Sequence, residues 1–135
     1  MLMSDTKAIS QFIKKGIAGE DIVLKSAGTQ YYSYTYVADA VAGILTILLK
    51  GENGEAYNIA EEHGGIILTD LAEIIAGING KKVVYEIPDA IEAAGYSTAT
   101  KARLDGNKLK SIGWIPKYDI KSGIERTIQI LKMMD

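Results

Sequence analysis

Residues 28–39, GTQYYSYTYVAD, constrain the fold more than any other stretch of this chain. A Gly-Thr-Gln turn feeds seven residues rich in Tyr, Ser and Thr, which suit a pleated, half-buried strand. Residues 37–39 then open a strongly periodic helix. Side chains alternate along a strand, so Tyr32, Tyr34 and Tyr36 share one face while Tyr31, Ser33, Thr35 and Val37 share the other. Asp39 falls in the first turn of the helix, where a carboxylate favours the positive end of the helix dipole and can accept backbone N–H bonds. A structural role therefore outweighs a catalytic one for Asp39.

The periodicity on either side of this junction sets the fold class. From residue 5 onward, Ile9, Phe12, Ile13 and Ile17 fall on one side at helical spacing, and Gly16 and Gly19 weaken the helix end. Residues 21–25 (DIVLK) read as a short apolar strand that turns into the tyrosine strand, so a small antiparallel pair is expected. After the junction, Val37, Val41, Ile44, Leu45 and Leu48 form a stripe that stops at Lys50-Gly51. Residues 55–60 (EAYNIA) return as a strand, and strand, helix, strand is a right-handed crossover between parallel strands. The unit repeats. Thr69 or Asp70 caps a helix carrying Leu71, Ile74, Ile75 and Ile78, glycines at 77 and 80 stop it, and residues 82–87 (KVVYEI) make a third strand. The expected class is α/β: a small three-stranded parallel sheet with crossover helices, plus a short antiparallel strand pair.

Beyond this core, residues 88–103 form the longest irregular connection, a kind of segment that is usually functional or mobile. Asp105 reads as the N-cap of a short helix with Leu109 and Ile112 inward and Gly113 as its stop. Trp114, following that stop, is expected to plug the edge of the core. Asp119 caps a last helix whose buried stripe is Ile120, Ile124, Ile128 and Leu131.

Length and charge narrow the function classes. With 135 residues, 47% of them hydrophobic, residues 1–135 make one domain with a real core. A net charge of -2 without a Lys or Arg run gives no electrostatic reason to expect nucleic acid. The absence of Cys removes disulfides and thiolate metal sites, and with a single His no metal site is expected. No apolar run approaches the roughly 18 residues of a membrane span, so no membrane partner is expected. The N-terminus lacks a basic segment followed by an apolar core, which makes the cytoplasm the default compartment.

The motifs resemble those of one enzyme family. Gly28, Gln30, Tyr36, Val37 and Asp39 fit the GxQxRxxxYVxD signature of the extended short-chain dehydrogenase/reductases, the NAD-dependent nucleotide-sugar epimerases, dehydratases and decarboxylases, with Tyr32 where the family usually has Arg. Residues 57–60 (YNIA), 70–76 (DLAEIIA) and 104–116 (LDGNKLKSIGWIP) resemble the family in the same order and with similar spacing. The resemblance covers nearly the whole chain and implies the C-terminal, substrate-binding lobe of such an enzyme. Its N-terminal NAD-binding Rossmann domain would then be absent from this sequence.

That implication fits what the sequence lacks. NAD needs a glycine-rich turn between a first strand and a helix, its amides facing the pyrophosphate. No GxGxxG or GxxGxxG occurs here, and neither Gly64-Gly65 nor Gly77 with Gly80 opens a helix after a first strand. The family's catalytic Tyr-x-x-x-Lys pair is missing too, because Tyr57 is followed four residues on by Glu61 and Tyr96 by Thr100. No cofactor site and no catalytic residue are therefore expected in this chain, while NAD(H) is implied for a full-length parent.

What remains would hold a nucleotide-diphosphate sugar, and a diphosphate calls for cationic side chains and backbone amides. Resemblance places Lys7 in DTKAISQF, similar to the family's DGRVVSNF, with Ala8 lining the base pocket. It also places Lys101 and Arg103 where the family brings a cation to the phosphates. Gln30 and Tyr32 complete the substrate-binding candidates. Each has a plainer reading: Lys7 as a solvated lysine, Arg103 paired with Asp105 or Glu92, Gln30 closing its own turn, and Tyr32 packing. Asn58 reads as bonding neighbouring loops and His63 as a loop residue. Apolar faces that would meet the missing domain make a homodimer a further expectation. A stand-alone, non-catalytic binding or scaffold module is the alternative to the enzyme lobe.

Overall fold

The computed structural model describes residues 5–86 and 101–134. Residues 87–100, with Glu92 and the expected irregular connection, lie outside the described residues. In chain order the elements are α1 (Ala8–Ile17), β1 (Ile22–Leu24), β2 (Tyr31–Ser33), α2 (Val37–Lys50), β3 (Gly65–Ile67), α3 (Leu68–Ile78), β4 (Val83–Tyr85), β5 (Lys101–Ala102), α4 (Asn107–Ser111) and α5 (Ile120–Lys132). They fall into two compact units. One holds residues 1–30, 67–100 and 124–135, and the other holds residues 31–66 and 101–123.

In the first unit β1 and β4 pair in parallel, Ile22 opposite Val83 and Leu24 opposite Tyr85. The alternation of β1 sends Ile22 and Leu24 into the core. Helix α1 packs on α3 and β1 through Phe12 and Ile13. Leu68, Leu71, Ala72, Ile75 and Ala76 form the buried stripe of α3. That helix ends as its glycines require. Gly80 takes φ of 64°, its N–H bonds the Gly77 carbonyl, and the Lys81 N–H reaches back to Ala76. Neither Thr69 nor Asp70 caps the start of α3, because the Thr69 hydroxyl donates to the Gly28 carbonyl at 3.1 Å. Gly28 itself sits at φ of 68°, and a Cβ there would lie 2.1 Å from the Thr69 hydroxyl oxygen. Ile124 and Ile128, at i and i+4 on α5, are buried in the same unit.

In the second unit β2 is the middle of a three-stranded sheet ordered β3-β2-β5. It runs parallel to β5, with Tyr31 opposite Lys101 and Tyr32 opposite Ala102. Along β3 the bonds run in reverse order, Tyr34 N–H to Gly64 O and Leu68 N–H to Gln30 O, which is the antiparallel arrangement. The α/β class with a small parallel sheet and an antiparallel pair is thus present, but its strands are partly different ones. Residues 55–60 form no strand, since no described residue offers them a ladder, and residues 65–67 pair with β2 instead.

Asp39 organises this unit. Its side chain is 3% exposed, and its two oxygens accept the backbone N–H groups of Lys117 at 3.0 Å and Tyr118 at 2.9 Å. Its carbonyl accepts the indole N–H of Trp114 at 2.9 Å, and that Trp is buried as expected. Gly43, one turn on, lets Trp114, Leu109 and Ile59 approach the α2 backbone, where a Cβ would meet all three within 3.1 to 3.3 Å. The Tyr36 and Tyr118 rings stack at 4.5 Å between centroids beside this knot. Asp119 caps α5, accepting the Ser122 N–H at 2.8 Å.

Replacing Asp39 by Ala strips two charge-assisted bonds and strands two N–H groups. Asp39→Ala is expected to cost about 3 kcal/mol, seen as a Tm lowered by roughly 10 °C; a melting curve within 2 °C of wild type, a bound chosen well below that estimate, would show that the knot carries no stability.

Candidate functional site

The 55–62 segment and α4 build a clamp within the second unit. Lys108 Nζ meets Glu55 Oε2 at 2.5 Å and lies 4.7 Å from the centre of the Tyr57 ring. Lys110 Nζ meets Glu62 Oε2 at 2.7 Å. The side-chain amide of Asn58 donates to the Asp105 carbonyl at 3.0 Å. Gly106 sits so close to the Ala60 carbonyl that a Cβ would lie 2.0 Å from its oxygen. Asp105 Oδ1 accepts the Asn107 N–H at 2.8 Å and shapes the entry to α4, whose Leu109 is buried.

Beside the clamp opens a cleft of about 490 Å³ lined by Glu62, Arg103, Leu104, Asp105, Gly106 and Asn107. Strand β5 delivers the chain to its wall, because Arg103 directly follows Ala102. Among the described residues Arg103 makes no ion pair, and Asp105 spends an oxygen on Asn107 instead. The hydrogen bond from Lys110 holds the Glu62 carboxyl below its ordinary range, helped by the charges of Lys110 and His63 and, less, of Arg103. Glu55 is held low in the same way by its bond to Lys108, whose own ammonium is pushed up. Glu62 is thus paired with Lys110, and Arg103 stands on the cleft wall with Asp105 and Asn107.

The Tyr57 hydroxyl accepts the Glu52 N–H at 3.1 Å. Burial, then the neighbouring Tyr32, pushes the Tyr34 phenol up, the opposite of what a general base needs. His63 is exposed and faces Glu62 at 3.7 Å. The glycines at 64 and 65 are packed closely by β2: a Cβ at Gly64 would meet the Tyr34 carbonyl at 2.2 Å, and one at Gly65 the Tyr31 hydroxyl at 2.0 Å.

The sequence candidates divide between the units. Lys7, Ala8 and Gln30 belong to the first. Lys7 is the N-cap residue of α1, exposed, its N–H bonded to Asp5 Oδ1 at 3.0 Å, and Ala8 begins the helix. The backbone carbonyl of Gln30 accepts the Leu68 N–H, while its side-chain Oε1 is buried and finds no acceptor role among the described residues. Tyr32, Lys101 and Arg103 belong to the second unit. Tyr32 stands edge-on to Tyr34 at 6.5 Å, and β2–β5 pairing places Tyr32 opposite Ala102, one residue before Arg103. The side chain of Lys101 lies outside the described ones. Missing from the sequence reading were Glu55, Glu62, Lys108 and Lys110. Alternating lysines on a short helix were visible, but their carboxylate partners lie 48 to 53 residues away.

Comparison with known proteins agrees with this architecture. Residues 2–60 match the NAD dependent epimerase/dehydratase family. The dTDP-glucose 4,6-dehydratase of Xanthomonas campestris pv. campestris is 29% identical over 90% of this chain and 36% of its own length. UDP-glucuronic acid decarboxylase 5 of Arabidopsis thaliana is 28% identical over 92% of this chain and 35% of its own. Among solved structures, UDP-glucose 4-epimerase from Thermotoga maritima with UDP-glucose superposes with a TM-score of 0.79 at 27% identity, covering 98% of this chain and 42% of that one. A Bacillus anthracis dTDP-glucose 4,6-dehydratase in complex with NAD shares the fold at a TM-score of 0.79 and 23% identity. The chain is thus similar to NAD-dependent epimerases and dehydratases. It spans little more than a third of the length of these curated relatives.

The clamp has a pH signature. Because the folded-state pKa of Glu62 and Glu55 is depressed, their contribution is present above the unfolded value near 4.5 and is lost as pH falls through the folded one. Carboxyl chemical shifts are expected to titrate below that value in the native chain, and Lys110→Met should move Glu62 upward while leaving Glu55 in place. An unmoved Glu62 midpoint would break the assignment of its partner.

Proposed function

We propose that this chain is the nucleotide-sugar-binding lobe of an NAD-dependent sugar epimerase or dehydratase. The carrying observation is the cleft walled by Arg103, whose guanidinium is left without an ion pair among the described residues while the adjacent Glu62 is neutralised by Lys110. A fork of that kind takes two oxygens of a diphosphate, and Asp105 and Asn107 beside it suit ribose or sugar hydroxyls. The related T. maritima epimerase with UDP-glucose supports the ligand class. Lys101 is a second cation for the phosphates, and Tyr32 is the second unit's further candidate. Lys7, Ala8 and Gln30 are the first unit's candidates for contacts to the nucleotide.

In this reading NAD belongs to a Rossmann domain outside these residues, where it would supply the transient oxidation of the sugar. This chain's part is to bind and orient. No step of proton transfer is assigned to its residues, in keeping with a Tyr34 phenol whose proton affinity burial raises. The compartment proposed is the cytoplasm. No helix among the described residues is long and apolar enough to cross a membrane. Self-association of the chain on its own follows from its uncovered apolar surface.

Calorimetric titration of the chain with UDP-glucose and dTDP-glucose tests the binding role, and titration with NAD tests its division from the cofactor. Saturable binding of a nucleotide sugar is expected, with no saturation by NAD in the micromolar range. Arg103→Ala should weaken the nucleotide sugar by about tenfold to a hundredfold, the worth of a charge-assisted bond. In a complete enzyme the same change should appear in KM far more than in kcat, because such binding is made equally in ground and transition states. An affinity unaltered by Arg103→Ala would remove Arg103 from the site.

A further inference from the structure

Residues 1–135 contain one His and no Cys, so His63 is the only side chain whose ordinary titration falls between about pH 5 and 8. That ring stands at the cleft. Its Nε2 lies 3.7 Å from Glu62 Oε1, while Lys110 Nζ takes Glu62 Oε2 at 2.7 Å. Glu62 in turn lines the cleft with Arg103 and Asp105. One carboxylate thus joins a titrating ring to the cationic wall. The ring is 78% exposed, so it exchanges protons with bulk water and its protonation disturbs no core packing.

The charges around His63 come from three parts of the second unit: residues 55–62, the exit of β5, and α4. Among the described residues they are Glu61 and Glu62, Arg103 and Asp105, and Lys110, while Lys108 is bound to Glu55. Glu61 is buried and does not line the cleft. With His63 neutral, the two lining acids, Glu62 and Asp105, balance Arg103 and Lys110. Protonating the ring adds one positive charge and engages the second oxygen of Glu62, which then competes least with an anion for Arg103. The depressed Glu62 carboxyl keeps that residue ionised while the ring titrates.

We propose that His63 is a positioning residue acting through Glu62, which makes anion binding in this cleft proton-linked: the protonated ring engages Glu62, and the cleft then holds an anion more tightly. The inference rests on the cleft being the anion site of the functional reading above. Affinity therefore rises as pH falls through the ordinary imidazole value of about 6.5. A nucleotide-diphosphate sugar keeps its phosphate charges across that range, and sulfate keeps its own, so neither ligand supplies a step of its own.

NMR titrations of residues 1–135 with UDP-glucose and, separately, with sulfate at about pH 5.5 and 7.5 test this, with the single imidazole followed directly. Both anions are expected to bind about threefold to fivefold more tightly at the acid end, the effect of one added charge at low salt. By linkage, saturating anion should raise the ring's titration midpoint by about 0.5 to 0.7 pH unit. His63→Gln should keep the weaker affinity at both pH values and His63→Lys the tighter one, each with the wild-type Tm; a packing role for the ring would produce neither. Glu62→Gln should lower the ring's midpoint by about 0.2 to 0.7 pH unit, the worth of an exposed ion pair. An affinity flat with pH, a step that survives His63→Gln, an unmoved midpoint in Glu62→Gln, or failure of both anions to bind would each overturn the inference. Sulfate binding with the expected step where UDP-glucose does not bind would sink the functional reading and leave His63 in its role.

Discussion

Both oxygens of the Asp39 carboxylate are committed to backbone N–H groups 78 and 79 residues further along the chain. A buried carboxylate is stable only when such bonds replace its water, and here the two amides do so, while Trp114 holds the Asp39 backbone carbonyl. Because Asp39 sits in the first turn of α2, satisfying it fixes how that helix is rotated about its axis. The face carrying Asp39 and Gly43 must turn toward Trp114, Leu109 and Ile59. The apolar stripe is then necessarily on the other side. A polar residue thus decides which side of an amphipathic helix is buried, against the hydrophobic pattern.

The same knot sets up the cleft. Trp114 and the Lys117 to Tyr118 backbone hold the chain that leaves α4, and α4 in turn carries Lys108 and Lys110 to Glu55 and Glu62. Both ion pairs are exposed and individually weak. Their use is positional: they keep the 55–62 segment, which lacks a ladder, against α4, and so hold Glu62 at the cleft that Arg103 also lines. Gly106 adds the close approach to Ala60 that no larger residue would permit.

Much of the fold was legible because it rests on local rules. The stripe of α3, the glycine stop at Gly80, the cap at Asp119 and the turn at Gly28 each follow from spacing and backbone preference within a few residues. Strand membership was less legible. Residues 55–60 have strand composition, yet a strand exists only beside a partner, and β3 was hidden because GII carries no alternation that distinguishes it from a helix entrance. Thr69 illustrates a second limit: a good capping residue was diverted to the Gly28 carbonyl, a contact made across 41 residues. For the candidate site, Asp105 was read only as a helix cap in the 104–116 motif, while Arg103 was marked by its place just before it. Glu62, which tunes the cleft's charge, was not, since nothing in its own neighbourhood announces a lysine 48 residues away.

Charge pairing decides what the cleft can attract. Had Glu62 lacked Lys110, its carboxylate would be the natural partner of Arg103 and would compete with any anionic ligand. The Lys110 bond at 2.7 Å satisfies one oxygen and lowers the carboxyl's proton affinity, so Glu62 stays ionised yet largely compensated. Arg103 contributes least of the cations to that depression. A guanidinium on an exposed wall gains little from a single surface carboxylate, but gains more from a diphosphate that presents paired oxygens and greater charge. On the proposed reading, the Lys110–Glu62 pair would lower the competition for Arg103 inside the cleft without itself touching a ligand.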